Sequence, residues 1–553
     1  MLGILLLAAA LVWHDLGARE VLGRDENVTI VKVAQPSLQT MLDSTRVTFS
    51  GQPSNVEPLY FVLQYLFWPL VERSSFMLRF LPSFFGLLAV TFTYKLGQVL
   101  FDERVGLAGA LLTTLLPLHV RYAQIARPYT LLAMLSLASA CLLVLALNDG
   151  RAVHWLGFVV AATLNLYNHY AALFVVAAEG LYAGFVWLRL LGDVRGRRAP
   201  PRRLWEPVIG FLSVGVLCTP ALLHLLDLHW IGSGIGEEAT AGQTVAFTIP
   251  FFRHYLYMTG LKTIGVQNLI FGLILLGLAV TLYRRGWQAA LLAGLWITVP
   301  FAVWALLTAP RRFEERYVIF VTPVIFLLIG QVAVTAGDWI GRVARRTGRA
   351  TSALLVLGLA SLLVSPLQVY YATNRQEERL NWTLSVVETY LDYDDVIIVS
   401  PRFFTRPLDA GAATVLYLTE QISTEELDRL AATHHCMWLL YASYLPAAET
   451  QEPLGQWVQA HADAFVHVPI KTVNVLAFGT LAPQDREICL LERIEVLEDL
   501  AQVSAGQAEA RQRYGILAEA CQVLAEYYQS RGQVDLAGVY RRQAEEARSV
   551  VRP

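Results

Sequence analysis

Charged residues are scarce in this sequence. Only 16% of the 553 residues are Asp, Glu, Lys or Arg, whereas 55% are hydrophobic, and about a quarter of an average soluble domain is charged. The scarcity is uneven, because apolar runs extend to about residue 370 and a mixed-charge texture begins at Asn374. The composition therefore excludes an ordinary soluble protein and predicts a membrane domain over residues 1–372, followed by a soluble tail.

Cysteine is scarce as well. The five cysteines are scattered, without a CxxC pair or any other metal-ligand spacing, so we infer neither a metal cluster nor a disulfide framework. The net charge of −2 gives no reason to expect nucleic acid as a partner, and we expect none. The tail also lacks a glycine-rich phosphate loop and a catalytic triad.

The apolar runs predict about 11 membrane spans. A span needs about 20 mostly apolar residues, and short ones manage with about 17. The segments are residues 2–17, 77–99, 104–120, 129–147, 152–168, 169–190, 205–226, 264–283, 287–308, 316–336 and 351–370. The first is short and carries His14 and Asp15, and the apolar region of a signal peptide is an alternative interpretation of it.

The arginine-rich loops predict the orientation of the spans. Residues 195–203, 284–285 and 342–349 fall on one side of an eleven-span arrangement, and loops rich in Lys and Arg face the cytoplasm. Residues 18–76, 120–128, 227–263 and 309–315 and the tail then face the opposite side. Arginines in these outer loops run against the usual bias. A phosphate-bearing lipid head group would explain them, and extension of the side chains toward the membrane interface is the alternative.

Seven short motifs recur in the order and spacing of a known superfamily. They are Asp25-Glu26, Pro58-Leu59-Tyr60, Arg79 to Ser83, Gly97 with Leu100-Phe101, Gln124 to Tyr129, His169-Tyr170 and Arg316-Tyr317. Over residues 1–370 this pattern resembles the GT-C superfamily of membrane glycosyltransferases. The nearest branch is that of the protein O-mannosyltransferases and the aminoarabinose transferases of lipid A. The resemblance implies a GT-C-like helical membrane fold.

The resemblance also implies a reaction. An acceptor hydroxyl would attack the anomeric carbon of a sugar carried on a polyprenyl phosphate, on the non-cytoplasmic face, with inversion. A carboxylate would accept the hydroxyl proton, and fixed cations would stabilise the leaving phosphate. The expected catalytic residues are Asp25 as base and Glu26 in support; the expected donor-phosphate ligands are Arg127 and Arg316, then Arg79 and Tyr129; the supporting candidates are Glu57, His169 and Tyr317.

Two departures from the family pattern keep other functions open. Ile125 stands where the family has Glu, and Glu57 stands where it has His or Pro. A transporter or flippase of a lipid-linked glycan, or a scaffold without activity, are the alternatives. No metal site is expected because no outer Asp-x-Asp is evident. Related oligosaccharide transferases use a divalent metal, so a metal stays an open alternative.

The tail shows two further textures. Residues 373–484 alternate helix and strand patterns, with short apolar runs at 396–399, 437–441, 465–468 and 473–478. They predict a small α/β domain with a mostly parallel sheet. Residues 485–553 are helical and charged and resemble one tetratricopeptide unit. One such unit needs stacked neighbours, so a protein partner for these helices is a candidate. We expect a multi-pass protein of a prokaryotic plasma membrane, with the C-terminal domain outside, in contact with membrane lipids, a polyprenyl-linked donor and an acceptor of unknown class.

Overall fold

A computed structural model gives the fold as two compact units. One comprises residues 1–16, 36–71 and 76–373, and the other comprises residues 17–35, 72–75 and 374–553. The structure describes residues 1–17, 24–46, 58–71, 74–195, 201–227, 255–257, 259–261, 263–307, 315–344, 347–375, 395–399, 414–417, 422–434, 436–442, 465–469, 474–479 and 507–551, with isolated positions at 252, 457, 460, 461, 489, 491, 494 and 498. For some of these residues, Asp25 among them, only the backbone is described.

The first unit is helical throughout its described residues. Its helices are α1 (Leu2–Trp13), α3 (Leu38–Arg46), α4 (Leu59–Phe67), α5 (Ser75–Leu100), α6 (Glu103–Leu115), α7 (Pro117–Ala123), α8 (Tyr129–Asp149), α9 (Ala152–Asn168), α10 (Ala172–Arg195), α11 (Trp205–Leu217), α12 (Thr219–Asp227), α13 (Ile264–Arg285), α14 (Trp287–Leu307), α15 (Val321–Val343) and α16 (Gly348–Arg375). Helix α2 (Arg24–Val33) belongs to the second unit.

Six of these helices are long and apolar enough to cross a membrane: α5, α8, α10, α13, α15 and α16. A bent pair, α6 with α7, makes seven if it counts as one span, whereas α1, Leu59–Leu70, α11 and the portion Trp287–Ala302 of α14 are apolar but shorter. The chain is thus an integral membrane protein, and a count of about 11 spans is not confirmed for the described residues.

Burial differs sharply among the spans. Helix α8 is apolar on all sides and 89% of its span is buried, whereas α13 and α16 bury only 28%. A helix that is apolar all round and buried is a core helix. Helix α8 therefore forms the centre of the membrane unit, with α9 and α10 packed against it, and α13 and α16 lie at its periphery.

The bend between α6 and α7 follows from Pro117. Proline disfavours the helical conformation of the residue before it, and Leu116 is extended (φ −72°, ψ 124°). Because Pro117 then begins a new helix, where a missing N–H costs nothing, the chain turns by 67° at this point.

A second proline leaves a carbonyl that another helix uses. Pro82 lies inside α5 and cannot donate to the carbonyl of Leu78, four residues earlier. The buried Gln64 side chain of α4 donates to that carbonyl instead, over 3.0 Å. The Thr130 hydroxyl donates to the Pro82 carbonyl over 2.8 Å and ties the start of α8 to α5.

Glycines allow three central helices to pack at backbone distance. A Cβ at Gly97 of α5 would lie 2.6 Å from the Gly106 Cα of α6, and a Cβ at Gly109 would lie 2.5 Å from Leu327 of α15. The Gly97 contact is with backbone and leaves no room for a methyl group, whereas at Gly109 the Leu327 side chain would have to move. Small residues at membrane helix interfaces permit this close approach.

Ion pairs gather several helix ends at one end of the unit. Arg104 binds Asp338 through two bonds of 2.7 and 2.9 Å, and Arg285 pairs with Asp102. Asp102 also caps α6 by accepting from the Val105 N–H. The ends of α6, α13 and α15 therefore meet here, which brings two of the three predicted cytoplasmic loops, 284–285 and 342–349, to the same end.

The described part of the second unit contains a five-stranded sheet. Its strands are β1 (Val396–Val399), β2 (Thr414–Tyr417), β3 (Met437–Ala442), β4 (Phe465–Pro469) and β5 (Asn474–Gly479), in the order β2-β1-β3-β5-β4. β1 pairs in parallel with β2 and β3, whereas β5 pairs antiparallel with β3 and β4. Four of the five strands therefore run in one direction and β5 alone runs against them, so the sheet is mixed and the expectation of a mostly parallel sheet is met only in part. Only residues 470–473 connect β4 and β5, and so short a link permits only an antiparallel pair.

Helices and a disulfide complete this unit. Helix α17 (Thr424–Thr433) is capped by Ser423, whose hydroxyl accepts from the Glu426 N–H. Helices α18 (Gln507–Ser530) and α19 (Val534–Val551) form a hairpin whose turn contains Gly532 at φ +75°. Cys436 and Cys489 form a disulfide, so the inference of no disulfide is wrong; their separation of 53 residues hides the pair from spacing rules. The sequence also predicts a helix from Trp382 to Leu391, and that segment lies outside the described residues.

Candidate functional site

Three loops of the membrane unit meet at one place. They are residues 124–128 before α8, residues 169–171 between α9 and α10, and a 3₁₀ turn at Glu315–Val318 before α15. The approximately 30 Å length of the 21-residue α8 separates this place from Asp149 at the opposite helix end. Residues 124–128 and Glu315 belong to segments that the sequence predicts on the non-cytoplasmic side.

Four rings form an aromatic cluster where these loops meet: Tyr129, His169, Tyr170 and Tyr317. His169 lies 4.8 Å from Tyr170 and 5.2 Å from Tyr317, between ring centroids. Tyr129 lies 5.9 Å from His169 and 6.3 Å from Tyr317. These separations are typical of favourable aromatic pairs, so the rings fix the three loops to one another.

Two arginines lie over this aromatic cluster. The Arg127 guanidinium carbon is 5.8 Å from the centroid of the Tyr129 ring. The Arg316 guanidinium carbon is 5.5 Å from the same ring and 5.5 Å from the Tyr317 ring. A guanidinium within about 6 Å of a ring centroid is attracted by its negative face. Two cations that the sequence assigned to donor phosphate are thus placed over one tyrosine.

The histidine of the aromatic cluster, His169, is neutral. Burial, together with the positive charges of Arg127 and Arg316, lowers the pKa of His169 to about 3. The Ala171 backbone N–H donates to its Nδ1 over 3.1 Å, so the neutral ring carries its proton on Nε2. The imidazole is therefore a hydrogen-bond donor at Nε2 without a charge of its own.

A buried glutamate adjoins the cluster and was missed as a site residue in the sequence. Glu315 is 2% exposed, and its Oε1 accepts from the Tyr122 hydroxyl over 2.8 Å. Arg121 Nη1 lies 3.8 Å from the same oxygen, and the Tyr122 ring lies 5.1 Å from Tyr129. In the sequence, Glu315 stands directly before Arg316, and this neighbourhood alone indicates a local charge pair. The contact of Glu315 with Tyr122 depends on the fold, in which α7 follows the bend at Pro117.

Gln124, the first residue of the Gln-x-Ala-Arg motif, connects two helices through its side-chain hydrogen bonds. Its Nε2 donates to the carbonyls of Val12 and His14 over 2.9 and 2.8 Å, and its Oε1 accepts from the Tyr370 hydroxyl over 2.7 Å. It therefore joins the end of α1 to α16. The next residue, Ile125, is half-buried and packs against the main apolar core.

Arg79 contacts the end of α1 rather than a ring of the cluster in its described bonds. It is fully buried in α5, and its Nη1 donates to the Leu16 carbonyl over 3.2 Å. Trp13 supports the same region by donating to the Ser83 hydroxyl over 3.1 Å. The Arg-x-x-x-Ser motif of α5 thus fixes the last residue of α1 and the residues directly after it.

The predicted carboxylates are described less fully. Asp25 and Glu26 lie in the first turn of α2, where Glu26 is 3% exposed. The Asp25 side chain and the whole of Glu57 lie outside the described residues. Among the side chains that are described, no three His, Cys, Asp or Glu residues converge as metal ligands. The assignment of Asp25 as base remains a prediction.

Part of the chain matches a known family model, and the fold is similar to that of solved proteins. Residues 52–192 match the family model described as dolichyl-phosphate-mannose-protein mannosyltransferase. The fold is similar to that of ArnT from Cupriavidus metallidurans bound to undecaprenyl phosphate, with a TM-score of 0.52, 11% identity, and coverage of 87% of this chain and 98% of ArnT. This chain has the fold of the GT-C glycosyltransferases.

Other solved GT-C enzymes match less well. The Archaeoglobus fulgidus oligosaccharyltransferase in its apo form gives a TM-score of 0.46 at 13% identity, with coverage of 80% of this chain and 69% of that chain. A search of curated proteins found no match. The GT-C fold therefore confirms the resemblance drawn from the motifs, and the identity of only 11% leaves substrate and mechanism to the site itself.

Proposed function

We propose that this protein is an inverting glycosyltransferase that moves a sugar from a polyprenyl-phosphate-linked donor to an acceptor hydroxyl on the non-cytoplasmic face of the membrane. The observation that carries the proposal is the pair Arg127 and Arg316, which come from two loops and lie over one ring, that of Tyr129. Two planar guanidinium groups on a fixed aromatic base suit a phosphate group, because each can donate paired hydrogen bonds to it.

The comparisons support the same substrate class. The matched family region, residues 52–192, contains Arg127, Tyr129 and His169. The description of that family names a dolichyl-phosphate-linked mannose, and the ArnT with a similar fold holds undecaprenyl phosphate. Both are polyprenyl phosphates, so the shared chemistry is a monophosphate on a long isoprenoid chain.

In the proposed mechanism the acceptor hydroxyl attacks the anomeric carbon while the bond to the lipid phosphate oxygen breaks. The hydroxyl proton passes to the Asp25 carboxylate. Glu26 and Glu57 are the supporting carboxylates in this proposal. Negative charge gathers on the departing phosphate, and Arg127 and Arg316 stabilise it. His169 is suited to donate to the same phosphate or to the sugar from Nε2, since it is neutral there. Arg79 acts at a distance by holding the end of α1.

The disulfide supports the proposed side of the membrane. Disulfides persist in oxidising compartments and are rare in the cytosol, and Cys436–Cys489 lies in the unit that carries the sheet. We therefore propose that this unit lies on the non-cytoplasmic side of a prokaryotic plasma membrane.

The test is sugar release in lipid nanodiscs from a panel of radiolabelled polyprenyl-phosphate sugars. We expect turnover by wild type, loss of turnover with retained donor binding in Asp25→Asn, and loss of donor binding by roughly 100-fold in Arg127→Gln and Arg316→Gln, because charge-assisted phosphate bonds contribute about 1.5–3 kcal/mol each. Arg342→Gln, at the opposite end of the unit, is the matched control.

Four outcomes would contradict the proposal in different ways. Equal turnover by wild type and Asp25→Asn would remove Asp25 from the mechanism. Donor binding that is unchanged in both arginine variants would remove the phosphate site. Flipping of a lipid-linked glycan across vesicles without any sugar release would make the protein a transporter, and absence of both in a folded protein would make it a scaffold.

A further inference from the structure

We infer that Glu315 is a positioning residue that weakens the hold of the arginine pair on phosphate, so that the polyprenyl phosphate product can leave. The inference rests on the proposed function and adds a residue to it. Glu315 is buried, lies beside Arg316 in the chain, and bonds through Oε1 to the Tyr122 hydroxyl.

A series of contacts connects Glu315 to the two arginines of the proposed phosphate site. Glu315 holds Tyr122 at 2.8 Å, the Tyr122 ring contacts the Tyr129 ring at 5.1 Å, and Tyr129 supports both Arg127 and Arg316. The buried carboxylate is therefore held by Tyr122, whose ring packs on the ring that supports both arginines, and it lies 3.8 Å from a third arginine, Arg121. Its charge acts through a protein interior of low effective dielectric constant, where charge interactions are far stronger than in water.

The charge balance explains why such a carboxylate would be retained. Arg121, Arg127, Arg316 and Glu315 carry a net charge of +2, and without Glu315 the same group would carry +3. A more positive site would bind a phosphate more tightly before and after transfer alike. Uniform binding of this kind does not raise the rate of the chemical step, and tighter binding of the leaving lipid slows its release.

A second observation marks Glu315 as more than an ordinary surface pair. Its Oε2 is buried and has no hydrogen-bond partner among the described residues, and a buried polar atom without a partner is destabilising. An apolar residue would avoid that cost at this position. A carboxylate here, beside the proposed phosphate-binding arginines, therefore indicates an electrostatic role.

The experiment measures binding of polyprenyl monophosphate, without sugar, to the full chain in nanodiscs. Glu315→Gln keeps an oxygen that can accept from Tyr122 and removes the charge, so we expect product affinity to rise by roughly tenfold and steady-state turnover to fall, with single-turnover sugar release nearly unchanged. Tyr122→Phe keeps the charge and removes the bond, and serves as the matched control with affinity within about threefold of wild type.

A second variant guards against misfolding of the first. In Tyr122→Phe/Glu315→Met both bond partners become apolar, which can be nearly neutral for stability, and the same rise in product affinity is expected. Product affinity that is unchanged or lower in folded charge-removed variants would overturn the role of Glu315. Polyprenyl phosphate binding by wild type that does not depend on Arg127 or Arg316 would instead overturn the proposed function.

Discussion

Replacement of Gln124 by Leu tests whether the first motif residue acts through structure. Gln124 is 1% exposed and makes three described bonds, two to the carbonyls of Val12 and His14 and one from Tyr370. A typical net contribution is about 1 kcal/mol per hydrogen bond, so Gln124→Leu should lower the free energy of unfolding by about 3 kcal/mol. Tyr370→Phe removes one of the three bonds and should cost about 1 kcal/mol.

The assay is reversible unfolding of the purified protein in mixed detergent micelles, followed by tryptophan fluorescence. A double-mutant cycle with Gln124→Leu and Tyr370→Phe should give a coupling of about 1 kcal/mol, because the two residues share one bond. If Gln124→Leu destabilises the protein no more than Tyr370→Phe does, the two bonds to the end of α1 contribute nothing and the structural explanation of the motif is refuted.

Three further predictions concern stability. The pKa of His169 in the folded protein, about 3, lies below the ordinary value of about 6.5, so as pH falls the unfolded chain binds a proton before the folded protein does. The free energy of unfolding therefore decreases below pH 6.5, by about 2 kcal/mol at pH 5. In His169→Gln the unfolding midpoint should depend less on pH between 7 and 5, and a pH dependence equal to that of wild type would contradict this. Gln64→Leu should cost about 1–3 kcal/mol by stranding the Leu78 carbonyl, and added Pro82→Ala should restore most of it in the same unfolding assay, because an N–H returns at position 82. Reduction of the Cys436 disulfide, which spans 53 residues, should destabilise its unit by up to about 4 kcal/mol, and proteolysis that is equally slow with and without reductant would argue against this.

The positions of the membrane helices could be predicted from the long apolar runs of the sequence. Helix α8 was predicted at 129–147 and observed at Tyr129–Asp149, because its length and lack of charge leave no other interpretation. The Ser-Thr-Glu-Glu start of α17 predicts an N-cap at Ser423 or Thr424, and the structure shows Ser423 as the cap. The pairing of Arg127 and Arg316 at one site was predicted only from motif position and side of membrane; their common ring, Tyr129, required the fold.

The features that the sequence did not reveal depend on contacts between distant residues. The break at Leu116 could have been anticipated from Pro117, but its 67° angle could not. The bond from Tyr122 to Glu315 joins residues 193 positions apart, and no local pattern encodes it. Helix α3 went unpredicted because its mixed composition, Leu38 to Arg46, is typical of any surface segment.

The thinly buried spans α13 and α16 have a consequence for how such chains diverge. Only 28% of each span is buried, so most of their positions are constrained to be apolar and little else, and Leu, Ile, Val and Phe are interchangeable where the neighbour is a lipid tail. By contrast, the contact of Gly97 with Gly106 admits no side chain at all. A chain built this way can exchange most of its residues while its helix arrangement persists, which accounts for a common fold at 11% identity.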